Sequence, residues 1–263
     1  MTDFAWMDGG AMSEPRVLDW SVGIVVPARN EQKRIGRCLR SVLASVDEAR
    51  VTRSFIVVVA DRCDDNTAAI ARDVLGSRGR VIEADEGSAG ASRRDGAEAL
   101  LRELRDVPRQ RLWLANTDAD SYVPVDWIAR QLDFAERGAT AVAGIVDVDS
   151  FGHYGEQGRE AFRRHYVLHA DGTHPHVHGA NMGVRADVYL DAGGWLDVAV
   201  GEDHCLWRRV RERGWRVESS TASIVMTSGR LRGRAAGGFA DTLRMRMPLR
   251  SACGEASSGG VVP

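Results

Sequence analysis

Residues 111–120 read Arg-Leu-Trp-Leu-Ala-Asn-Thr-Asp-Ala-Asp, a short apolar run that ends abruptly in two carboxylates one residue apart. A run of this length and composition suits a strand buried on both faces. Asp118 and Asp120, two positions apart in extended chain, then project to the same side just past its carboxyl end. Such a pair offers hard oxygen ligands to Mg2+ or Mn2+ and leaves coordination positions open for phosphate. The ordinary alternative is a polar turn that caps the next helix.

Upstream, the same strand signal recurs and alternates with helical periodicity. Residues 22–26 (VGIVV) stop at Pro27, and residues 55–60 (FIVVVA) and 81–84 follow the same pattern. Between them, Ile35, Leu39, Val42, Leu43 and Val46 repeat at helical spacing after Asn30, which is placed to cap that helix. Helices are also expected over 65–75 and 91–104. This alternation gives βαβ units, hence an α/β fold: a Rossmann-like, mostly parallel sheet with helices on both faces. Ligands of such sheets bind beyond the carboxyl ends of the strands. Four segments meet there: residues 27–31, 61–65, 86–90 and 116–120. No Gly-rich dinucleotide fingerprint and no P-loop follows the first strand.

Downstream, a helix is expected from Pro124 to about Arg137, a strand over 140–146 and a helix over 153–170. A loop then leads to residues 177–184, a short helix near 186–192 and a strong one over 203–213. The expected organisation is a loose leader (1–19), one domain over 20–250 and a frayed tail (251–263). Within the domain, a nucleotide-binding half covers about 20–122 and an acceptor half about 123–250.

The composition excludes several classes. Of 263 residues, 35 are basic and 37 acidic, a formal net charge of −2 that argues against nucleic acid as a partner. All but one of the basic residues are arginine, the exception being Lys33. The charge is uneven, since residues 205–250 hold 11 Arg against Glu212, Glu218 and Asp241. The four cysteines form no C-x-x-C pair, so neither a zinc ribbon nor a dense disulfide framework follows. No signal-type or membrane-spanning apolar run is visible, which reads as a cytoplasmic protein with peripheral contact at the inner membrane face left open.

The motifs in order are VVPARNE, VVVADRCDDNT, GSAGASRRDGA, LANTDAD, HGANMGVRADVYLDAGGW and GEDHCLWRRV. Their order and spacing, over about 22–217, resemble a family 2 glycosyltransferase of the GT-A fold. The resemblance implies a nucleotide-diphosphate sugar donor (UDP- or GDP-linked), a divalent metal, Mn2+ or Mg2+, and transfer to a hydroxyl of a small-molecule or lipid-linked acceptor. It implies that Asp61 contacts the base, with Pro27 and Glu31 on the nucleoside side, and Arg29 is a further donor-binding candidate. It makes Asp118 and Asp120 the D-x-D pair, with Asp120 the direct metal ligand. Glu202-Asp203 matches the family's Glu-Asp pair, which implies an inverting reaction with Asp203 as general base. Arg62-Cys63 and Arg93-Arg94 depart from commoner family residues and bear on donor identity rather than fold.

Three further groups are singled out. Arg93, at a helix start among glycines, is a diphosphate candidate. Arg230, Arg232 and Arg234 form an arginine-glycine loop able to close over the donor as a lid, unless they belong to a solvated basic tail or a membrane-contacting one. His178, Asn181 and His204 are acceptor candidates, and His174, His176 and His178 alternate, so they share one face if extended. Two rivals stand beside the transferase. One is a sugar-phosphate nucleotidylyltransferase, which would need a Gly-rich basic signature that residues 27–31 lack. The other is a non-catalytic nucleotide-sugar or metal-binding protein on the same fold.

Overall fold

The computed structural model describes residues 18–151 and 155–230. Strands β1 (Leu18–Ala28), β2 (Val51–Asp61), β3 (Gly79–Ala84) and β4 (Leu112–Asn116) are joined by helices α1 (Ile35–Ala49), α2 (Thr67–Leu75) and α3 (Ala89–Glu103). There follow α4 (Trp127–Glu136), β5 (Ala141–Val148), α5 (Gly155–His165), β6 (Met182–Arg185), α6 (Ala186–Asp191), α7 (Glu202–Glu212) and β7 (Val217–Thr227). All seven strands form one sheet, in the order β3-β2-β1-β4-β6-β5-β7. β1 runs parallel to β2 and β4, and β5 parallel to β7. Only β6 runs against both its neighbours, so the expected mostly parallel sheet holds.

The strand sequences explain the layering. Alternate residues of a strand face opposite sides, and helices on both sides require both sets to be apolar. Val22, Ile24 and Val26 face a core built with α1, α2 and α4. Val25, Val57 and Val59 face a second core built with α3, α6 and α7. Helix α3 approaches the sheet closely because Gly96 offers no side chain: a Cβ there would lie 2.5 Å from Val25 Cγ1. That approach fixes the first turn of α3, and Arg93 with it, over the carboxyl end of β1.

Several boundaries differ from expectation. Asn30 does not cap α1. The amides of Arg34 and Ile35 bond to the carbonyl of Glu31, making residues 31–34 a turn and moving the helix start to Ile35. Asn30 instead adopts φ +54° and accepts the amide of Asp64 on the neighbouring loop at 3.0 Å. Helix α4 starts at Trp127, one turn beyond Pro124, whose carbonyl accepts the Trp127 amide. Helix α5 stops at His165, short of the expected 170, and Gly179–Asn181 form a tight turn that leads into β6. The leader gives up Leu18 and Asp19 to β1. Strand β7 was not expected at all, because Ser219, Ser220, Thr221 and Ser223 break its apolar pattern.

Candidate functional site

Near the carboxyl ends of β1 and β4, six of the expected residues form two ion-pair networks. In the first, Arg230, just past β7, donates to Glu31 and pairs with Asp120 at 2.9 Å. Glu31 and Asp120 are both buried. Burial pushes the Asp120 carboxyl up to about 6, while the Arg230 guanidinium acts in the opposite direction. Glu31 is held by its own amide, which donates to Thr67 Oγ1 at 2.7 Å. Two buried carboxylates thus answer one cation.

In the second network, Arg93 donates to Asp118 Oδ1 at 2.6 Å and to Glu202. Only 3% of Arg93 is exposed, and its guanidinium carbon lies 5.4 Å from the Trp195 ring centroid. Both terminal nitrogens are engaged with protein carboxylates, and the buried Nε has no partner among the described residues. Arg93, expected as a diphosphate contact, here bridges the D-x-D loop and the start of α7.

The acceptor side is built on that start. Asp203 Oδ2 accepts the amide of Gly179 at 2.8 Å and Oδ1 that of His204 at 2.7 Å. The glycine at 179 leaves room for the Arg93 guanidinium, since a Cβ would lie 2.6 Å from its Nη2. His178, one residue back, shares a 2.9 Å hydrogen bond with the Tyr166 hydroxyl, which also accepts the Val146 amide. With the hydroxyl proton directed at His178, its Nε2 is the acceptor and the ring is neutral. Burial pushes His178 down to about 4 against the opposing influence of Asp203. The three alternating histidines do share a face. His174 and His176 stack at 5.9 Å and His176 and His178 at 6.0 Å, with Tyr166 stacked on His176 at 4.1 Å. Parallel rings in a row form a platform, not a chelate.

Other expected residues fall elsewhere. Asp61 is buried and its carboxylate accepts the amides of Glu86 (2.7 Å) and Gly87 (2.9 Å), so it braces the β3–α3 loop. Pro27 is the next-to-last residue of β1 and Arg29 lies just past the strand, both partly exposed. Asn181 is a correction: it is 1% exposed, and its amide accepts from Trp127 Nε1 and donates to the carbonyls of Ile145 and Ser223. That saturates the side chain inside the core and leaves nothing for an acceptor. Arg232 and Arg234 lie outside the described residues. Tyr166 and Trp195 were not expected at the site. Nothing local marks them, because each acts on a residue a loop or more away.

Among the described residues, no three His, Cys, Asp or Glu side chains converge into a complete metal cage. Glu31 and Asp120 share the Arg230 cation, and Asp118 is engaged by Arg93. Oxygen donors of this kind fit Mn2+ or Mg2+ completed by phosphate oxygens.

A mostly parallel α/β sheet with carboxylates gathered at this edge is the architecture that the GT-A glycosyltransferases share. The glycosyltransferase-like family 2 model matches residues 19–245, and the chain belongs to that family of transferases. No curated protein sequence matches it. Among solved structures it is similar to TarS of S. aureus with UDP-GlcNAc (TM-score 0.58, 15% identity, 83% of this chain and 61% of that one). It is also similar to the mannosyltransferase PcManGT of Pyrobaculum calidifontis with GDP-Man and Mn2+ (0.56, 19%, 81% and 58%). A third is GalNAc-T7 with UDP, GalNAc and Mn2+ (0.59, 13%, 86% and 47%). At these identities the likeness is one of fold. The chain spans less than two thirds of each of these proteins. Among the described residues no helix is long and apolar enough to cross a membrane.

Proposed function

We propose that the protein transfers a glycosyl group from a UDP- or GDP-sugar to an acceptor hydroxyl, with inversion and with Asp203 as general base. The observation that carries this reading is the Arg93 strut, which ties Asp118 of the D-x-D loop to Glu202, the neighbour of Asp203, in one buried network. Donor carboxylates and base are thereby held in fixed relation. A hydroxyl is a weak nucleophile, so a carboxylate within hydrogen-bond reach has to take its proton as the glycosidic bond forms. The Gly179 and His204 amides aim the Asp203 carboxylate for that task. A divalent cation held by Asp120 and Asp118 would neutralise the growing charge on the diphosphate leaving group. Arg230, already the cation of the Glu31–Asp120 pair, is the residue positioned to exchange onto the diphosphate.

Donor complexes in the fold relatives, with UDP-GlcNAc or with GDP-Man and Mn2+, support a nucleotide-sugar donor and a metal. The test is Asp203→Asn. Transfer should fall at least a thousandfold while nucleotide binding, read by thermal shift with UDP and GDP, stays within twofold. Near-normal turnover by Asp203→Asn would sink the base assignment. Nucleotide binding with no transfer or donor hydrolysis by the wild type would favour a binding protein on this fold.

A further inference from the structure

Glu31, just past β1, and Asp120, just past β4, meet on one guanidinium: Arg230 donates to Glu31 and stands 2.9 Å from Asp120 Oδ2. The two carboxylate side chains are 4% and 10% exposed, and burial on that scale needs a cation to answer it. Asp120 is also the carboxylate proposed above to hold a divalent metal. One side chain therefore has two cations competing for it. On the same carboxylate, a guanidinium and a divalent ion repel each other, and in a buried site little water screens them.

The chain that carries Arg230 is anchored up to the residue before it. The Gly229 amide donates to Asp149 Oδ1 at 3.2 Å, and Asp149 pairs with Arg37 of α1 at 3.3 Å. Gly229 passes so close to the Ser150 carbonyl that a Cβ would lie 1.9 Å from its oxygen. An exchange of cations at Asp120 is thus the work of the Arg230 side chain alone. A nucleoside diphosphate offers oxygens with which a guanidinium pairs in bidentate fashion. Leaving for those oxygens strands two buried acids unless a second cation takes the place of Arg230. Nucleotide and metal each supply what the other lacks.

We propose that Arg230 is a resident counter-cation that keeps a divalent metal off Asp120 until a nucleoside diphosphate draws the guanidinium away. Metal and nucleotide then bind with positive coupling through this one side chain, each tightening the other by the same factor. The inference rests on the glycosyltransferase reading and adds the regulation of its site.

The test is Mn2+ binding, read without turnover from the EPR signal of free aqueous Mn2+, with and without UDP or GDP. In the nucleotide-free protein, Arg230→Ala should bind Mn2+ at least fivefold more tightly than the wild type. Arg230→Gln, which keeps a donor for Glu31 but removes the charge, should do the same, so the result does not depend on how well the alanine variant folds. Arg34 also acts on Asp120 through space but makes no ion pair with it among the described residues. Arg34→Ala should therefore shift Mn2+ affinity less than twofold, which separates a held contact from general charge. The nucleotide should tighten Mn2+ binding at least tenfold in the wild type and less than threefold in Arg230→Ala and Arg230→Gln. Unchanged or weaker Mn2+ binding by both variants, an equal effect of Arg34→Ala, or undiminished coupling would overturn the proposal. Nucleotide binding is read separately by calorimetry. If UDP or GDP binds but the coupling survives loss of Arg230, only this inference is wrong. If neither binds with or without Mn2+, the transferase reading itself is at fault.

Discussion

Arg93→Ala separates a structural strut from a donor contact. The guanidinium is 3% exposed and pairs with Glu202 and Asp118, whose side chains are 12% and 37% exposed. Removing one member of a buried ion pair leaves the other charge in low dielectric, at a cost of about 3–5 kcal/mol. The Glu202 arm carries most of this, because Asp118 can still reach water. For a domain of this size each kcal/mol moves the melting point by about 2–4 °C, so Arg93→Ala should melt about 6–20 °C lower. The assay is thermal and urea unfolding of the wild type, Arg93→Ala, Glu202→Gln and the double variant. The double variant should lose about 1–3 kcal/mol less than the sum of the singles, since the stranded carboxylate is gone. Arg93→Ala melting within 2 °C of the wild type, with donor affinity lost, would refute the strut and return Arg93 to the diphosphate.

Three further outcomes follow from the same geometry. Asn181→Ala strands the Trp127 indole N–H and two buried carbonyls; it should cost about 2–4 kcal/mol in urea unfolding, whereas an acceptor contact would lose activity with an unchanged midpoint. His178 is held neutral with its proton affinity depressed to about 4, so the unfolded chain binds the proton more readily. The stability this gives is full above pH about 6.5 and is lost as pH falls towards about 4, worth about 3 kcal/mol over that window. His174, His176, His204 and Asp203 all act on that ring, and His178→Gln should flatten the acid limb of a pH–stability profile. Arg230→Ala removes the cation shared by Glu31 and Asp120; donor affinity by calorimetry should fall about tenfold, the equivalent of one charge-assisted contact, and unchanged affinity would place Arg230 outside donor binding.

What the sequence made legible is what chain-local physics writes into it. Residues 22–26 and 55–60 announce buried strands because helices cover both faces of the sheet, and every position must be apolar. Strand β7 was illegible for the complementary reason. It lies at the sheet's edge beside β5, where one face is less demanding, and its serines and threonines carry no periodic signal. Asn30 misled because its short polar side chain serves a cap or a left-handed turn equally well, and the Glu31 carbonyl decided between them.

The site divides in the same way. Asp118 and Asp120 were readable because a strand end places them, and Glu202-Asp203 because a helix start does. The arginines were not, since a guanidinium's role is set by its partner. Arg93 finds Glu202 at a separation of 109 residues, and Arg230 finds Glu31 at 199. Position alone put both on the diphosphate. Burial then distinguishes them. Arg93 is itself buried with both terminal nitrogens committed, and exchange would strand the Glu202 carboxylate. Arg230 is a fifth exposed and joins acids that another cation can satisfy. Arg230 is the more exposed of the two cations and Arg93 the more buried, so a loss of donor affinity is expected from Arg230 and a loss of stability from Arg93.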